Sequence, residues 1–306
     1  MSTLTPAEVA VVMVETAVVK HNTRPDKVFA KAFIAGIFLS FGGLLSQVLS
    51  AGSPGLTASN PGMVKILSGF VFPVGLVMIV LQGQELLTSN MMTFPMAWIK
   101  RRIPWWSTPA NWLIVFFGNL VGSLFFDAIL VKYTAVVSTD PYLTGIREAA
   151  IKKAITPEWH QVFLRGIGCN FLVCIAVWQA AAAREVYSKV IAIWIPIWIF
   201  VACSYDHVVA NMFLVPMGIL LDAHEGLTTA SYIRKSLIAA FIGNAVGALL
   251  VALPFTWFYL GDYRAGGMED MEEGEAIAGR DAAQPRNDLV TMDGSKGSSI
   301  NNQKRD

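Results

Sequence analysis

The sequence predicts an all-α membrane protein of six transmembrane helices in two inverted three-helix repeats, with the second and fifth helices broken. Three observations carry this. The chain has 306 residues, 54% of them hydrophobic and only 15% charged, with a mean hydropathy of +0.52, and its apolar residues are gathered into long runs. Windows of about 20 apolar residues, the length that crosses a hydrocarbon core, occur near 29–50, 67–99, 111–131, 161–182, 190–221 and 236–259. Finally, two of these stretches carry nearly the same polar string, Glu85-Leu-Leu-Thr-Ser-Asn-Met-Met-Thr-Phe-Pro-Met96 and Asp206-His-Val-Val-Ala-Asn-Met-Phe-Leu-Val-Pro-Met217. A polar, Pro-interrupted segment at corresponding places in two apolar halves marks discontinuous helices that meet at a transport site.

Along the chain, residues 1–28 form an N-terminal segment in which Pro6 to Val19 reads as an amphipathic helix lying on the membrane or on a neighbouring subunit. Residues 29–260 contain the six spans. The second and fifth are too long and too polar at their centres for straight helices, so each is expected to be two half-helices joined by a non-helical loop. Phe33-Ile-Ala-Gly36 in the first span resembles Phe163-Leu-Arg-Gly166 in the fourth, and Gly118-Asn119-Leu-Val-Gly122 in the third matches Gly243-Asn244-Ala-Val-Gly247 in the sixth. Three matches in register define the repeat. Because each half holds an odd number of spans, the second half enters the membrane from the opposite side. The small residues of Gly-Asn-x-x-Gly let helices approach closely. Residues 261–306 turn abruptly polar and acidic, including Glu269-Asp-Met-Glu-Glu-Gly-Glu275, and read as a disordered cytoplasmic tail.

With both termini cytoplasmic, the inner segments carry more Lys and Arg than the outer ones, the Lys100-Arg101-Arg102 cluster being the strongest element. The net charge of +1 and the absence of a basic block with interleaved aromatics give no support to a nucleic-acid partner. Cys169, Cys174 and Cys203 lie in apolar runs and are expected to be small buried hydrophobes. Four histidines without partners at ligand spacing argue against a metal site. No cofactor motif, phosphate loop or nucleophile arrangement occurs, so no enzyme is predicted. No cleavable signal peptide opens the chain: the apolar stretch from Ala7 to Val19 is broken by Glu15.

His207 is the most informative single residue, because it stands in the fifth-span break where the second-span copy has Leu86. An ionisable group at membrane depth is a functional candidate, the alternative being a hydrogen-bonded core histidine. Glu85 and Asp206 are placed to cap the half-helix that follows or to accept from backbone N–H groups at the break. Asn90 and Asn211 are expected to satisfy backbone groups that a break would leave unpaired in lipid. Thr88 and Ser89 offer small hydroxyls to a solute or to the local backbone.

These residues carry a resemblance to a known family. Asp206-His207-Val-Val-Ala-Asn211-Met212-Phe213 resembles the central-histidine motif of the formate/nitrite transporters, Gly168-Cys-Asn170-Phe-Leu-Val173-Cys174-Ile-Ala-Val-Trp178 their fourth-span motif, and Leu86-Leu87-Thr88-Ser89-Asn90 their loop in the broken second helix. The likeness runs from about Lys31 to Tyr259. It implies a homopentamer of aquaporin-like protomers, each with its own pore. It also implies that Phe72, Leu76, Leu87, Val173 and Phe200 narrow that pore, with Thr88 and His207 as the polar pair between the constrictions and Asn170 among the structural residues. The family's vestibule lysine falls near Lys153, one position from the expected place, which holds Ala154; Lys152 is its alternative.

Magnitudes then choose a mechanism. An unpaired carboxylate-like ion moved into a low-dielectric medium costs on the order of tens of kcal/mol. Protonating a weak acid of pKa about 4 at pH 7 costs roughly 4 kcal/mol. The expected function is therefore passage of a small monovalent anion as its neutral acid, with proton symport. Nitrite is the first expectation, in a fungal plasma membrane where it would feed nitrogen assimilation; formate, acetate or lactate is the alternative. An aquaporin-like channel for neutral solutes shares the half-helix architecture, but the paired Asn-Pro-Ala breaks are absent. A receptor or scaffold that binds partners through its tail is the third class.

Overall fold

A computed structural model describes residues 3–261, all of whose regular elements are helical. In chain order they are α1 (Pro6–His21), α2 (Pro25–Ala51), α3 (Pro54–Ser59), α4 (Pro61–Val71), α5 (Val74–Leu81), α6 (Leu87–Ile99) and α7 (Ser107–Phe125). A π-helical turn over Phe126–Tyr133 extends α7. There follow α8 (Tyr142–Ala154), α9 (Trp159–Ala182), α10 (Val186–Ala202), α11 (Val208–Leu220), the short α12 (Thr229–Ser231), a second π turn (Tyr232–Leu237) and α13 (Ile238–Leu260). Five stretches, Pro25–Ala51, Pro61–Leu81, Ser107–Tyr133, Trp159–Ala182 and Thr229–Leu260, are long and apolar enough to cross a membrane. The fifth expected span is instead the pair α10 and α11, each too short to qualify alone. Expectations for the tail, residues 262–306, lie outside the described residues.

Both expected breaks are present. Residues 82–86 separate α5 from α6 and residues 203–207 separate α10 from α11. The 121-position offset of the two motifs recurs at the ends of α5 and α10 and at both ends of α6 and α11. It recurs also in the left-handed residues: Gly83 (φ 63°) and Ser204 (φ 60°) turn the two breaks, and Arg101 (φ 56°) and Asp222 (φ 54°) end the two half-helices that follow.

The tightest helix pairs are α2 with α7 and α9 with α13. A Cβ on Gly122 would overlap the carbonyl oxygen of Phe33, and one on Gly247 that of Ile167, so only glycine permits these backbones to lie so close. The repeated Gly-Asn-x-x-Gly string thus has a direct packing cause in both halves.

Two expectations are corrected. The helix α1 does not lie on lipid or a neighbour along its apolar stripe: Val9, Ala10, Met13, Val14 and Ala17 are buried within the chain, against α6, α9 and α13. A capping box of Thr5 and Glu8 fixes where it starts. Cys169 and Cys174 are buried, but Cys203 is exposed, because it falls on the loop of the second break and not inside a helix.

Candidate functional site

The two breaks meet where Thr88, in the first turn of α6, lies beside His207, the residue before α11. Thr88 Oγ1 is 2.9 Å from His207 Nε2, and both residues are buried. The other ring nitrogen, Nδ1, accepts the N–H of Ala210 at 3.1 Å, so His207 is itself the N-cap of α11. An accepting Nδ1 assigns the ring's proton to Nε2, and the imidazole donates that N–H to the Thr88 hydroxyl. Protonating Nδ1 would set two donors against each other and uncap the half-helix. The phenyl ring of Phe200 stacks on the imidazole with centroids 5.9 Å apart, and Phe72 meets Phe200 edge-on at 5.8 Å.

Two asparagines hold the break loops. Asn119 of α7 accepts the N–H of Leu87 at 3.0 Å and donates to the carbonyls of Ala32 and Glu85 at 2.8 and 2.9 Å. Asn244 of α13 accepts the N–H of Val208 at 2.8 Å and donates to Gly166 and Asp206, both at 2.9 Å. Each thereby satisfies the N–H and carbonyl that its break would orphan, and spends its remaining donor on a carbonyl of a neighbouring continuous helix, Ala32 of α2 or Gly166 of α9. Asn170 of α9 donates to the carbonyls of Thr88 and Asn244 at 3.2 and 2.8 Å, tying the two systems together.

Each break also carries a carboxylate paired with a lysine from a helix outside the long apolar stretches. Glu85 meets Lys20 of α1 at 3.1 Å, and Asn90 bridges the pair, accepting from Lys20 at 2.6 Å and donating to Glu85 at 2.8 Å. Asp206 meets Lys153 of α8 at 2.9 Å, with Asn211 donating to Asp206 at 3.3 Å. Lys153 donates further to the carbonyls of Ser204 and Tyr205, at 3.3 and 3.0 Å. On the α8 side a cavity of about 580 Å³ reaches down to the ring of His207; its lining includes Lys153, Phe72, Phe200 and Cys203.

The sequence profile described as "Formate/nitrite transporter" matches residues 7–258. The chain belongs to the formate/nitrite transporter family. Among relatives, it is 36% identical over 270 residues to a "Probable formate transporter" of Methanothermobacter thermautotrophicus, covering 83% of this chain and 97% of that one. It is 32% identical over 281 residues to the "Formate channel FocA" of Escherichia coli, covering 84% and 95%. Its fold is similar to a solved "Pentameric formate channel with formate bound", with a TM-score of 0.69 and 28% identity over 77% of this chain and 98% of that one. Members of the family are channels and transporters rather than enzymes, and this chain is a multi-pass membrane transport protein.

Within this family member, the sequence-predicted residues separate into groups. His207, Thr88 and Asn170 are joined by hydrogen bonds or through one residue's backbone, and Phe72 and Phe200 adjoin them. Leu76, Leu87 and Val173 are buried but lie outside the cavity lining. Lys152 pairs at the surface with Glu148 at 3.3 Å, whereas Lys153 reaches the break. The expected roles of the acids and of Asn90 and Asn211 are corrected. Glu85 and Asp206 bond to lysine and asparagine side chains and do not cap the half-helices, whose caps are Leu86 and His207. Asn90 and Asn211 bind those carboxylates, and the orphan backbone groups fall to Asn119 and Asn244. Sequence reasoning missed these two, although the repeated Gly-Asn-x-x-Gly string contained them. It also missed Lys20 as the partner of Glu85; only the parallel with Lys153, a lysine ahead of the fourth span, pointed there.

Proposed function

We propose that this protein carries a small monovalent weak-acid anion across the membrane as its neutral acid, in symport with a proton, with Thr88 and His207 as the polar station between two apolar constrictions. The observation that carries the reading is the buried Thr88–His207 hydrogen bond between the two breaks, at the foot of an open cavity. Phe72 and Phe200 form the barrier on the cavity side, and Leu76, Leu87 and Val173 the barrier beyond. A bare anion faces tens of kcal/mol there, whereas the neutral acid exchanges hydrogen bonds with His207 Nε2–H and the Thr88 hydroxyl. The ion pairs Lys153–Asp206 and Lys20–Glu85 set the potential at the two mouths.

The matching boundaries, lysine–acid–asparagine sets and clasping asparagines of the two halves favour six spans in two inverted repeats, an aquaporin-like arrangement. A homopentamer is proposed by analogy with the pentameric formate channel. Lysine and arginine placement favours cytoplasmic termini, so the α8-side cavity faces outward in a plasma membrane. Nitrite and formate are both small planar anions of three heavy atoms, and the names of the relatives favour formate while the sequence favours nitrite in a fungal setting; the pore residues accept either.

Uptake of labelled formate and nitrite into proteoliposomes, with acetate and lactate as competitors, tests the reading. Lowering the outside pH from 7 to 6 raises the neutral fraction of an acid of pKa about 4 by roughly tenfold, and uptake should climb with it. His207→Asn, which keeps a side chain able to cap α11, should lose most of the uptake. Full uptake with an unaltered pH profile would reject the polar-station role, and uptake of water without either anion would favour a neutral-solute channel.

A further inference from the structure

We propose that the turn after α6 is a binding site for an anionic phospholipid, with Arg101 holding the headgroup phosphate. This needs only that the chain spans a membrane and does not depend on the transport reading. Trp98, Arg101, Arg102, Ile103, Pro104 and Trp105 line an open pocket of about 350 Å³ there. Its depth is fixed by the ends of two spans. The apolar stretch Ser107–Tyr133 begins just past Trp105, and Lys100 donates to the carbonyl of Leu260, the last residue of the stretch Thr229–Leu260. The pocket therefore sits where hydrocarbon gives way to headgroups.

The second half of the chain separates what the fold needs at this turn from what it does not. The amides of Lys100, Arg101 and Arg102 bond to the carbonyls of Met96, Trp98 and Ala97, and 121 positions later those of Leu221, Asp222 and Ala223 bond to Met217, Ile219 and Gly218. Arg101 and Asp222 share left-handed backbone, at φ 56° and 54°. Both turns are thus the same helix-ending device. Their side chains differ: where the first has Trp98, Arg101, Arg102 and Trp105, the second has Ile219, Asp222, Ala223 and Gly226. The backbone accordingly calls for neither tryptophan nor arginine. A long side chain on left-handed backbone is strained relative to glycine or asparagine, and nothing inside the protein uses this one. Arg101 is exposed and makes no hydrogen bond or ion pair among the described residues, whereas Arg102 pairs with Glu15 at 2.7 Å.

The side chains fit a phosphate set in lipid. Trp98 and Trp105 are 50% and 68% exposed, and an indole, apolar in body with one N–H donor, is suited to headgroup level. The Arg101 guanidinium supplies charge and planar donors to phosphate oxygens, and the two indoles cover the glycerol and the first methylenes. Past the pocket, exposed Leu113, Phe117 and Val121 recur every four residues along one face of α7, a stripe on which an acyl chain can lie. A zwitterionic headgroup brings its own cation towards the guanidinium, so the site selects a lipid of net negative charge.

Native mass spectrometry of delipidated, detergent-solubilised protein, titrated with phosphatidylglycerol or phosphatidylcholine, tests this. Wild-type protein should bind phosphatidylglycerol about tenfold more tightly than phosphatidylcholine. Arg101→Asn should abolish that preference, a loss of roughly 1.4 kcal/mol, while Arg101→Lys should keep most of it. Because asparagine tolerates left-handed backbone, the lipid-free unfolding midpoint of Arg101→Asn should be no lower than that of wild type; a lower one would mean that Arg101 serves the turn itself, and overturns the assignment. Lys65→Gln removes an equal charge beside the α8-side cavity and should leave the preference intact. Equal loss in Lys65→Gln and Arg101→Asn would show attraction to overall charge, and an unchanged preference in Arg101→Asn would show that the pocket is not used; either rejects the site. Displacement of phosphatidylglycerol by millimolar inorganic phosphate would make the ligand a free anion, and a shift of Arg101→Asn to smaller species on size exclusion in every lipid would place a second copy on this face. Each of these also overturns the lipid site.

Discussion

Asn244 accepts the N–H of Val208 and donates to the carbonyl of Asp206 at the second break, and donates also to the carbonyl of Gly166 within α9, all three residues being buried. A buried backbone group left without a partner costs about 1–3 kcal/mol. Asn244→Ala should therefore destabilise the protein by several kcal/mol, seen as a lower thermal unfolding midpoint in detergent. Asn60→Ala is the contrast: its side chain caps exposed α4, and its loss should cost about 1 kcal/mol. At this scale the sequence was legible wherever a residue type is improbable in lipid. His207, Glu85, Asp206, Asn90 and Asn211 stood out as polar residues in apolar runs. Their partners did not stand out, because a hydrogen bond between Lys20 and Asn90 spans 70 positions and leaves no local pattern. Asn119 and Asn244 were visible as repeated residues, but their neighbours, two glycines each, drew attention to packing.

Half-helices are short, and their stability comes from what crosses them. The pairs α2 with α7 and α9 with α13 act as rigid rails on which the breaks are hung, since the asparagines that clasp the loops lie in α7 and α13. Close approach of those rails is set by glycine. Gly122→Val would drive a side chain into the Phe33 backbone, and overpacking of this kind costs about 1–3 kcal/mol or more. Thermal unfolding and size-exclusion profiles should register that loss, while Gly55→Ala, where an added Cβ meets nothing within 4 Å, should leave both unchanged. Most element boundaries could be anticipated to within a few residues from hydropathy. The two π turns could not, because residues 126–133 and 232–237 read as ordinary helix and the wider i to i+5 hydrogen bonding of a π turn leaves no mark on hydropathy; both turns pack against α11. The destination of α1 was equally hidden: an apolar stripe declares that it will be covered, not by what.

Across the whole molecule, the path proposed for the solute runs through the Phe72–Phe200 contact before it reaches His207. Because Phe200 touches both its partners in that series, removing its ring opens the path more than shortening either neighbour would. Phe200→Ala should admit larger monocarboxylates such as lactate in competition assays, and an unaltered size cutoff would remove Phe200 from the barrier. The clasping arrangement also bears on how the protein is made. Each break leaves the ribosome before the helix that closes it: the first waits for Asn119, and the second waits for Asn244, in α13, the last helix among the described residues. Until α13 is inserted, the N–H of Val208 and the carbonyls of Gly166 and Asp206 have no clasp, and the histidine-bearing loop is held only by what has already been synthesised. The half of the site that holds His207 is thus completed only once α13 is in place, and insertion of that helix commits the protein to its working form.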